Sequence, residues 1–191
     1  MNYKQTSIPD VWIIEPKVFT DDRGYFMEAY NQTTFEKHIG PVRFIQDNES
    51  FSTQGVLRGL HYQLAPYSQA KLVRVILGSV LDIAVDIRQG SPTYGQHVAV
   101  MLSAENKKQL FIPRGFAHGF QVLSEKAIFT YKIDNTYAPQ YERSIRFDDP
   151  DLNVKWDMDY FHQAILSSKD LHAPWLKDAE INFDYTKKDD K

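Results

Sequence analysis

The residue with the clearest chemical potential in this 191-residue chain is His61. It sits in Gly55-Val56-Leu57-Arg58-Gly59-Leu60-His61-Tyr62-Gln63, a segment that otherwise reads as a strand. Valine, leucine and tyrosine suit a pleated surface; an arginine and an imidazole in such a run need a further reason. An imidazole titrates near neutral pH, so His61 is the natural general base. A carboxylate beside it would orient the ring, and Asp82 and Asp170 are both candidates. Tyr131 offers a weak acid. Lys71, opening an apolar run, could steady a developing oxyanion. Each has a plain structural alternative: a core tyrosine with a satisfied hydroxyl, a strand-end lysine in water, and a capping turn at Ser167-Ser168-Lys169-Asp170.

A second chemistry to weigh is metal binding. His61, His97 and His118 are three histidines in a β-rich chain. A two-histidine metal barrel wants its second histidine two positions after the first, on the same strand face, and that position is Gln63. The expectation is no metal. A third is anion binding. Arg23, Arg58, Lys71, Arg74, Arg88, Arg114 and Lys169 are scattered, several of them near strand ends, and arginine suits bidentate phosphate recognition. No glycine-rich phosphate loop or dinucleotide fingerprint is present, so side chains would have to hold a phosphate.

The elements that must position these groups are mostly short strands. They are expected near 42–46, 55–64, 71–77, 80–87, 96–102, 109–112, 118–123, 127–133 and 144–147, with Gly78-Ser79, Gly90-Ser91-Pro92 and Pro113-Arg114-Gly115 as separators. Val11 to Ile14 reads as an early strand at a sheet edge, because Pro16 follows. Asp21 to Gly24 is a turn into another strand. Asn31 to Ile39 reads as a helix capped by Asn31 and ended by Gly40-Pro41. Regular short strands point to an antiparallel sandwich or barrel. Beyond Pro150 loops and short helices are expected around Asp159 to Leu166, with a disordered tail at 186–191.

Alternation decides which side chains can share a pocket. Lys71, Val73 and Val75 share one face, as do Asp82, Ala84 and Asp86, and as do Ala127, Phe129, Tyr131 and Ile133. Strict alternation puts Arg58 and His61 on opposite faces; a bulge at Gly59 would return both to one side.

Length and composition fit one domain, residues 1–185. A net charge of −3 without a basic block argues against nucleic-acid binding. The absence of cysteine removes disulfides and thiolate chemistry. Met1 to Thr6 has no apolar core, and no apolar run reaches the length of a membrane span, so a cytoplasmic, membrane-free protein is expected.

Read in order, seven blocks resemble the dTDP-4-dehydrorhamnose 3,5-epimerases. They are Asp22-Arg23-Gly24-Tyr25-Phe26-Met27-Glu28, Gln46-Asp47-Asn48, Leu57 to Gln63, Lys71, Phe111 to Phe120, Tyr131-Lys132 and Leu166 to Asp170. The resemblance spans roughly Val11 to Leu176. It implies a cupin-type jelly-roll β-sandwich with a few short helices, mostly C-terminal. It implies a homodimer without metal or cofactor, acting on a nucleotide-linked 4-keto-6-deoxyhexose. By that resemblance His61 is the base, backed by Asp170 or Asp82; Lys71 stabilises the enolate oxygen; Tyr131 returns a proton from the opposite face. Arg58 and Arg23 hold the diphosphate, and Glu28, Gln46, Asp47, Asn48, His118, Glu142 and Lys169 complete the pocket. The N-terminal segment, with Arg23, Glu28 and Gln46 to Asn48, is expected to serve the pocket of a partner subunit.

One position departs from the family pattern. Thr136 stands where an aromatic that stacks on the nucleotide base is expected, with Tyr137 next to it to take over. Competing readings are a one-carbon epimerase, a non-catalytic sugar-nucleotide-binding cupin and a metal-dependent cupin. Tyr131 argues against the first, the joint presence of His61, Lys71 and Tyr131 against the second, and Gln63 against the third.

Overall fold

The computed structural model describes residues 1–157, 159 and 164–185. Its strands in chain order are β1 (Asn2–Gln5), β2 (Trp12–Glu15), β3 (Val18–Asp21), β4 (Gly24–Met27), β5 (Gln46–Thr53), β6 (Leu57–Gln63) and β7 (Lys71–Leu77). They continue as β8 (Ser79–Asp86), β9 (His97–Ser103), β10 (Gln109–Ile112), β11 (Phe116–Val122), β12 (Lys126–Ile133) and β13 (Glu142–Ser144). Helix α1 (Gln32–His38) precedes β5, and the one-turn helix α2 (Ser168–Leu171) follows β13.

A six-stranded sheet in the order β1-β2-β10-β7-β12-β5 faces a five-stranded sheet in the order β13-β6-β11-β8-β9. Neighbouring strands are antiparallel throughout. Hairpin β3–β4 hydrogen-bonds to neither sheet. The result is an antiparallel β-sandwich of the cupin-like jelly-roll type.

The alternation that places side chains inside or outside also sorts the core into layers. Val73, Val75, Leu110, Ile112 and Phe129 of the first sheet meet Val80, Ala84, Val98, Leu102 and Phe120 of the second. Phe120 and Phe129 stack across this gap with centroids 4.3 Å apart. The outer face of the five-stranded sheet, with Leu57, Leu60, Ile83 and Val85, is covered by the C-terminal segment through Leu152, Trp156 and Phe183. On the other sheet, Phe35 of α1 packs against Phe111 and Phe44. Asn31 caps α1, accepting from Thr34 N at 3.0 Å, and Ile39 closes it.

Several expectations for the strands differ from the fold. The strand expected at 42–46 forms instead as β5 from Gln46, while Val42 and Phe44 pack beside Phe35. The strand expected at 144–147 is β13, Glu142–Ser144. β2 is an interior strand rather than an edge, paired with both β1 and β10; Pro16 lies just beyond its last residue, Glu15. The expected disordered tail, 186–191, lies outside the described residues, as does most of the helical stretch expected near Asp159 to Leu166.

Candidate active site

The site begins with an irregularity in β6. His61 pairs with His118 and Arg58 with Phe120, so Gly59 and Leu60 together oppose Gly119. This is a bulge. It turns Leu57 and Leu60 to the outer core and brings Arg58 and His61 to the inner face. Glycine is required at its centre. Gly59 has φ +128°, and a Cβ there would lie 2.5 Å from Gly119 Cα.

His61 then meets a carboxylate from far along the chain. Ile165 forms a parallel bridge to Val56, just before β6, and the chain runs on into α2. There Asp170 Oδ1 lies 2.5 Å from His61 Nε2. Asp170 is 2 % exposed. Burial alone would raise its pKa, but hydrogen bonds from His61 and Ser167 and the charge of Lys169 hold it below the ordinary carboxylate value. An ionised carboxylate only accepts hydrogen bonds, which leaves the proton on Nε2 and the Nδ1 lone pair available.

Asp82, the alternative partner, is committed elsewhere. It pairs with Phe120 across β8–β11 and its carboxylate lies 3.0 and 3.1 Å from His118 Nε2. Burial raises the pKa of Asp82 and lowers that of His118. Among the described residues there are thus two histidine–aspartate ion pairs, and the one at His61 is made by Asp170.

Lys71 opens β7, between Ile112 and Ile133. Burial lowers its pKa to about 8, against the opposing charges of Asp82 and Glu142. Its ammonium makes no hydrogen bond or ion pair to another described residue, so it is available to an anionic oxygen. Tyr131 lies on β12 between Val73 and Asn48. Burial raises its pKa, which keeps the phenol protonated at neutral pH.

A cavity of about 330 Å³ lies between these groups, lined by His61, Lys71, Tyr131, Gln46, Asn48 and Glu142, with Gln63, Gln69, Ile133 and Tyr137 around them. His61 belongs to the five-stranded sheet, Tyr131 and Lys71 to the six-stranded one. The imidazole and the phenol thus come from opposite walls.

At the rim, Glu142 accepts from Tyr137 Oη at 3.0 Å and forms an ion pair with Lys169 Nζ at 2.6 Å. Tyr137, not Thr136, presents its side chain at the cavity; the Thr136 carbonyl accepts from Gln63 Nε2. Gln63 also donates to Tyr67 O and accepts from Ala138 N, so its amide ties two loops together. His97 pairs with Val85 and so falls on the opposite face of the sheet from His118, which pairs with Ala84. The three histidines do not converge. Among the described residues no cluster of three His, Cys, Asp or Glu side chains could hold a metal.

Several expected pocket residues lie elsewhere. Asp47 is on the outer face of β5, bonded to Lys132 Nζ at 2.9 Å, because its neighbours Gln46 and Asn48 take the inner face. Gln46 Nε2 donates to Asn48 Oδ1 at 2.8 Å. Arg23 is on the exposed β3–β4 hairpin, paired with Asp21 at 2.6 Å. Glu28 accepts from Asn31 Nδ2 at 3.1 Å. Neither lines this chain's cavity. Arg58 is on the inner face but outside the cavity lining, donating to Ser52 Oγ. Gln69 went unnoticed in the sequence, where it is an ordinary polar loop residue without a motif signal.

Fold and cavity together define a cupin-like β-sandwich with acid–base groups held between its sheets. The family model described as dTDP-4-dehydrorhamnose 3,5-epimerase matches residues 5–178. The chain is 55% identical over 181 residues to the dTDP-4-dehydrorhamnose 3,5-epimerase of Shigella flexneri, covering 94% of this chain and 98% of that one. It is 53% identical over 181 residues to the Pseudomonas aeruginosa enzyme of the same name, with the same coverage, 94% and 98%. Among solved structures, the dTDP-6-deoxy-D-glucose-3,5-epimerase of Legionella pneumophila, in complex with dTDP-4-keto-L-rhamnose, superposes with a TM-score of 0.89 at 50% identity. That match covers 92% of this chain and 93% of the other. The chain belongs to the dTDP-4-dehydrorhamnose 3,5-epimerase family.

Proposed function

We propose that this chain inverts C3 and C5 of dTDP-4-keto-6-deoxy-D-glucose to give dTDP-4-keto-L-rhamnose. The C4 ketone acidifies the hydrogens on both neighbouring carbons, so the substrate itself supplies the activation and the reaction calls for no cofactor. His61, oriented by Asp170, removes the proton. The C–H electron pair moves onto the C4 oxygen as an enolate, which Lys71 stabilises. Tyr131 then delivers a proton to the opposite face of the same carbon, and solvent exchange restores both groups. Each inversion leaves the proton count unchanged.

The observation that carries this reading is the placement of His61 and Tyr131 on opposite walls of one cavity. Removal and return of a proton on opposite faces is what inversion requires. Gln46, Asn48, His118, Glu142, Lys169 and Tyr137 would bind the sugar nucleotide, with Tyr137 stacking on the base, and Arg58 would meet the diphosphate.

The working unit in this reading is a homodimer of the single domain 1–185, in the cytoplasm. Supporting it, the hairpin β3–β4 stands apart from both sheets and exposes Phe19, Tyr25 and Phe26. Such an arm would carry Arg23 and Glu28 to the partner's cavity. The direct test is incubation with dTDP-4-keto-6-deoxyglucose in D₂O, following deuterium at each carbon by NMR. Uptake at both C3 and C5 is expected; uptake at one carbon alone would make this a single-carbon epimerase.

A further inference from the structure

We propose that Ser167 is a positioning residue for the base, locking the Asp170 carboxylate in the orientation that keeps Oδ1 on His61. The proposal rests on the reading of His61 as the base. Ser167 is the N-cap of α2, with extended backbone at φ −73° and ψ 156°. Its Oγ accepts from Asp170 N at 3.1 Å, as a capping hydroxyl does. Its own proton is then free, and the hydroxyl donates to Asp170 Oδ2 at 2.7 Å.

A short carboxylate pivots about its Cβ–Cγ bond. One hydrogen bond leaves that pivot loose; bonds to both oxygens fix the carboxylate plane. Here Oδ1 is on His61 and Oδ2 on Ser167. The capping role alone would not need the second bond.

The serine is itself registered to the strand that carries the base. Leu57 N donates to Ile165 O at 3.1 Å, and Ile165 N to Gly55 O at 2.9 Å. The path therefore leaves β6 at Leu57, passes through Ile165, Ser167 and Asp170, and returns to β6 at His61. A ring closed on one strand positions the imidazole relative to its own backbone. With the plane fixed, Asp170 keeps the proton on Nε2 and leaves Nδ1 to act.

The test compares Ser167→Ala, Ser167→Gly and Ser167→Thr in the full-length protein, with Ser168→Ala as a control beside it. Glycine is well tolerated at an N-cap yet lacks the hydroxyl, so it covers the case in which the alanine variant fails to fold. The readouts are kcat, KM and the ¹⁵N NMR spectrum of the His61 ring, which reports its tautomer without catalysis. Loss of the hydroxyl is expected to lower kcat roughly 10- to 100-fold, the range for removing a group that orients a functional side chain. KM should hold, and the ring should change from a single Nε2–H tautomer to a mixture. Threonine should restore both kcat and tautomer, and Ser168→Ala should match wild type.

Wild-type kcat in Ser167→Gly would overturn the proposal. So would a loss of kcat with the tautomer unchanged, or a threonine variant as impaired as the alanine one. Failure of the base reading itself is recognised separately, by deuterium uptake that persists in His61→Ala.

Discussion

His61 Nε2 and Asp170 Oδ1 lie 2.5 Å apart although 109 residues separate them in sequence. In the proposed mechanism this contact orients His61 as the base, leaving Nδ1 without a bond to Asp170. Asp170→Asn keeps the shape of the side chain but can present an amide donor to the ring. A drop in kcat of roughly 10²-fold or more is expected, the scale of a lost general base. Steady-state kinetics, with circular dichroism to verify folding, checks it. Activity near wild type would mean that His61 needs no carboxylate.

Lys71 gives the pH dependence. Its pKa is lowered to about 8, chiefly by burial. In the proposed mechanism its ammonium steadies the enolate, and that ammonium is present below about 8 and lost above it. kcat/KM, which reports the free enzyme, should therefore fall on the alkaline side with a midpoint near 8. Lys71→Arg keeps its charge throughout this range, so whatever activity it retains should lack that limb. An alkaline limb shared by both proteins would assign it to another group.

The β6 bulge can be tested through stability. A methyl group at Gly59 would meet Gly119 Cα at 2.5 Å, and backbone cannot move aside as a side chain does. Gly59→Ala should destabilise the fold by about 1–3 kcal/mol, the range for overpacking. Urea unfolding measures this. An unchanged midpoint would show that the two strands can separate without cost.

How far the sequence discloses this arrangement depends on the residue. The bulge is legible because Arg58 and His61 have the wrong parity for one face and a glycine sits between them. The inner face of β12 is legible because apolar residues alternate there, and the two faces of β8 separate because Asp82, Ala84 and Asp86 alternate with Leu81, Ile83 and Val85. β5 is hidden because its inner positions Gln46 and Asn48 line a cavity, while its outer ones, such as Asp47 and Glu49, are exposed. No apolar alternation remains to mark it. The same parity shows that Asp47 cannot share the face of Gln46 and Asn48, a reading the three-residue motif obscures. The choice between Asp82 and Asp170 could not be made from spacing. It depends on which residues oppose one another across β6, β11 and β8, and on the docking of Ile165 beside Val56. Arg23 and Glu28 share a motif with each other, yet in the fold Arg23 is on the hairpin that pairs with neither sheet and Glu28 follows it, bonded to the Asn31 cap of α1.

The opposition of His61 and Tyr131 is tested most directly by Tyr131→Phe, incubated with dTDP-4-keto-6-deoxyglucose in D₂O. Phenylalanine keeps the ring in the core and removes only the hydroxyl. In the proposed mechanism deprotonation uses His61 and Lys71, so deuterium exchange should continue at least at the first carbon. Formation of the doubly inverted sugar should fall by roughly 10²-fold or more, as expected for a missing general acid. Unchanged turnover would contradict the account, and so would exchange lost together with turnover in a folded variant.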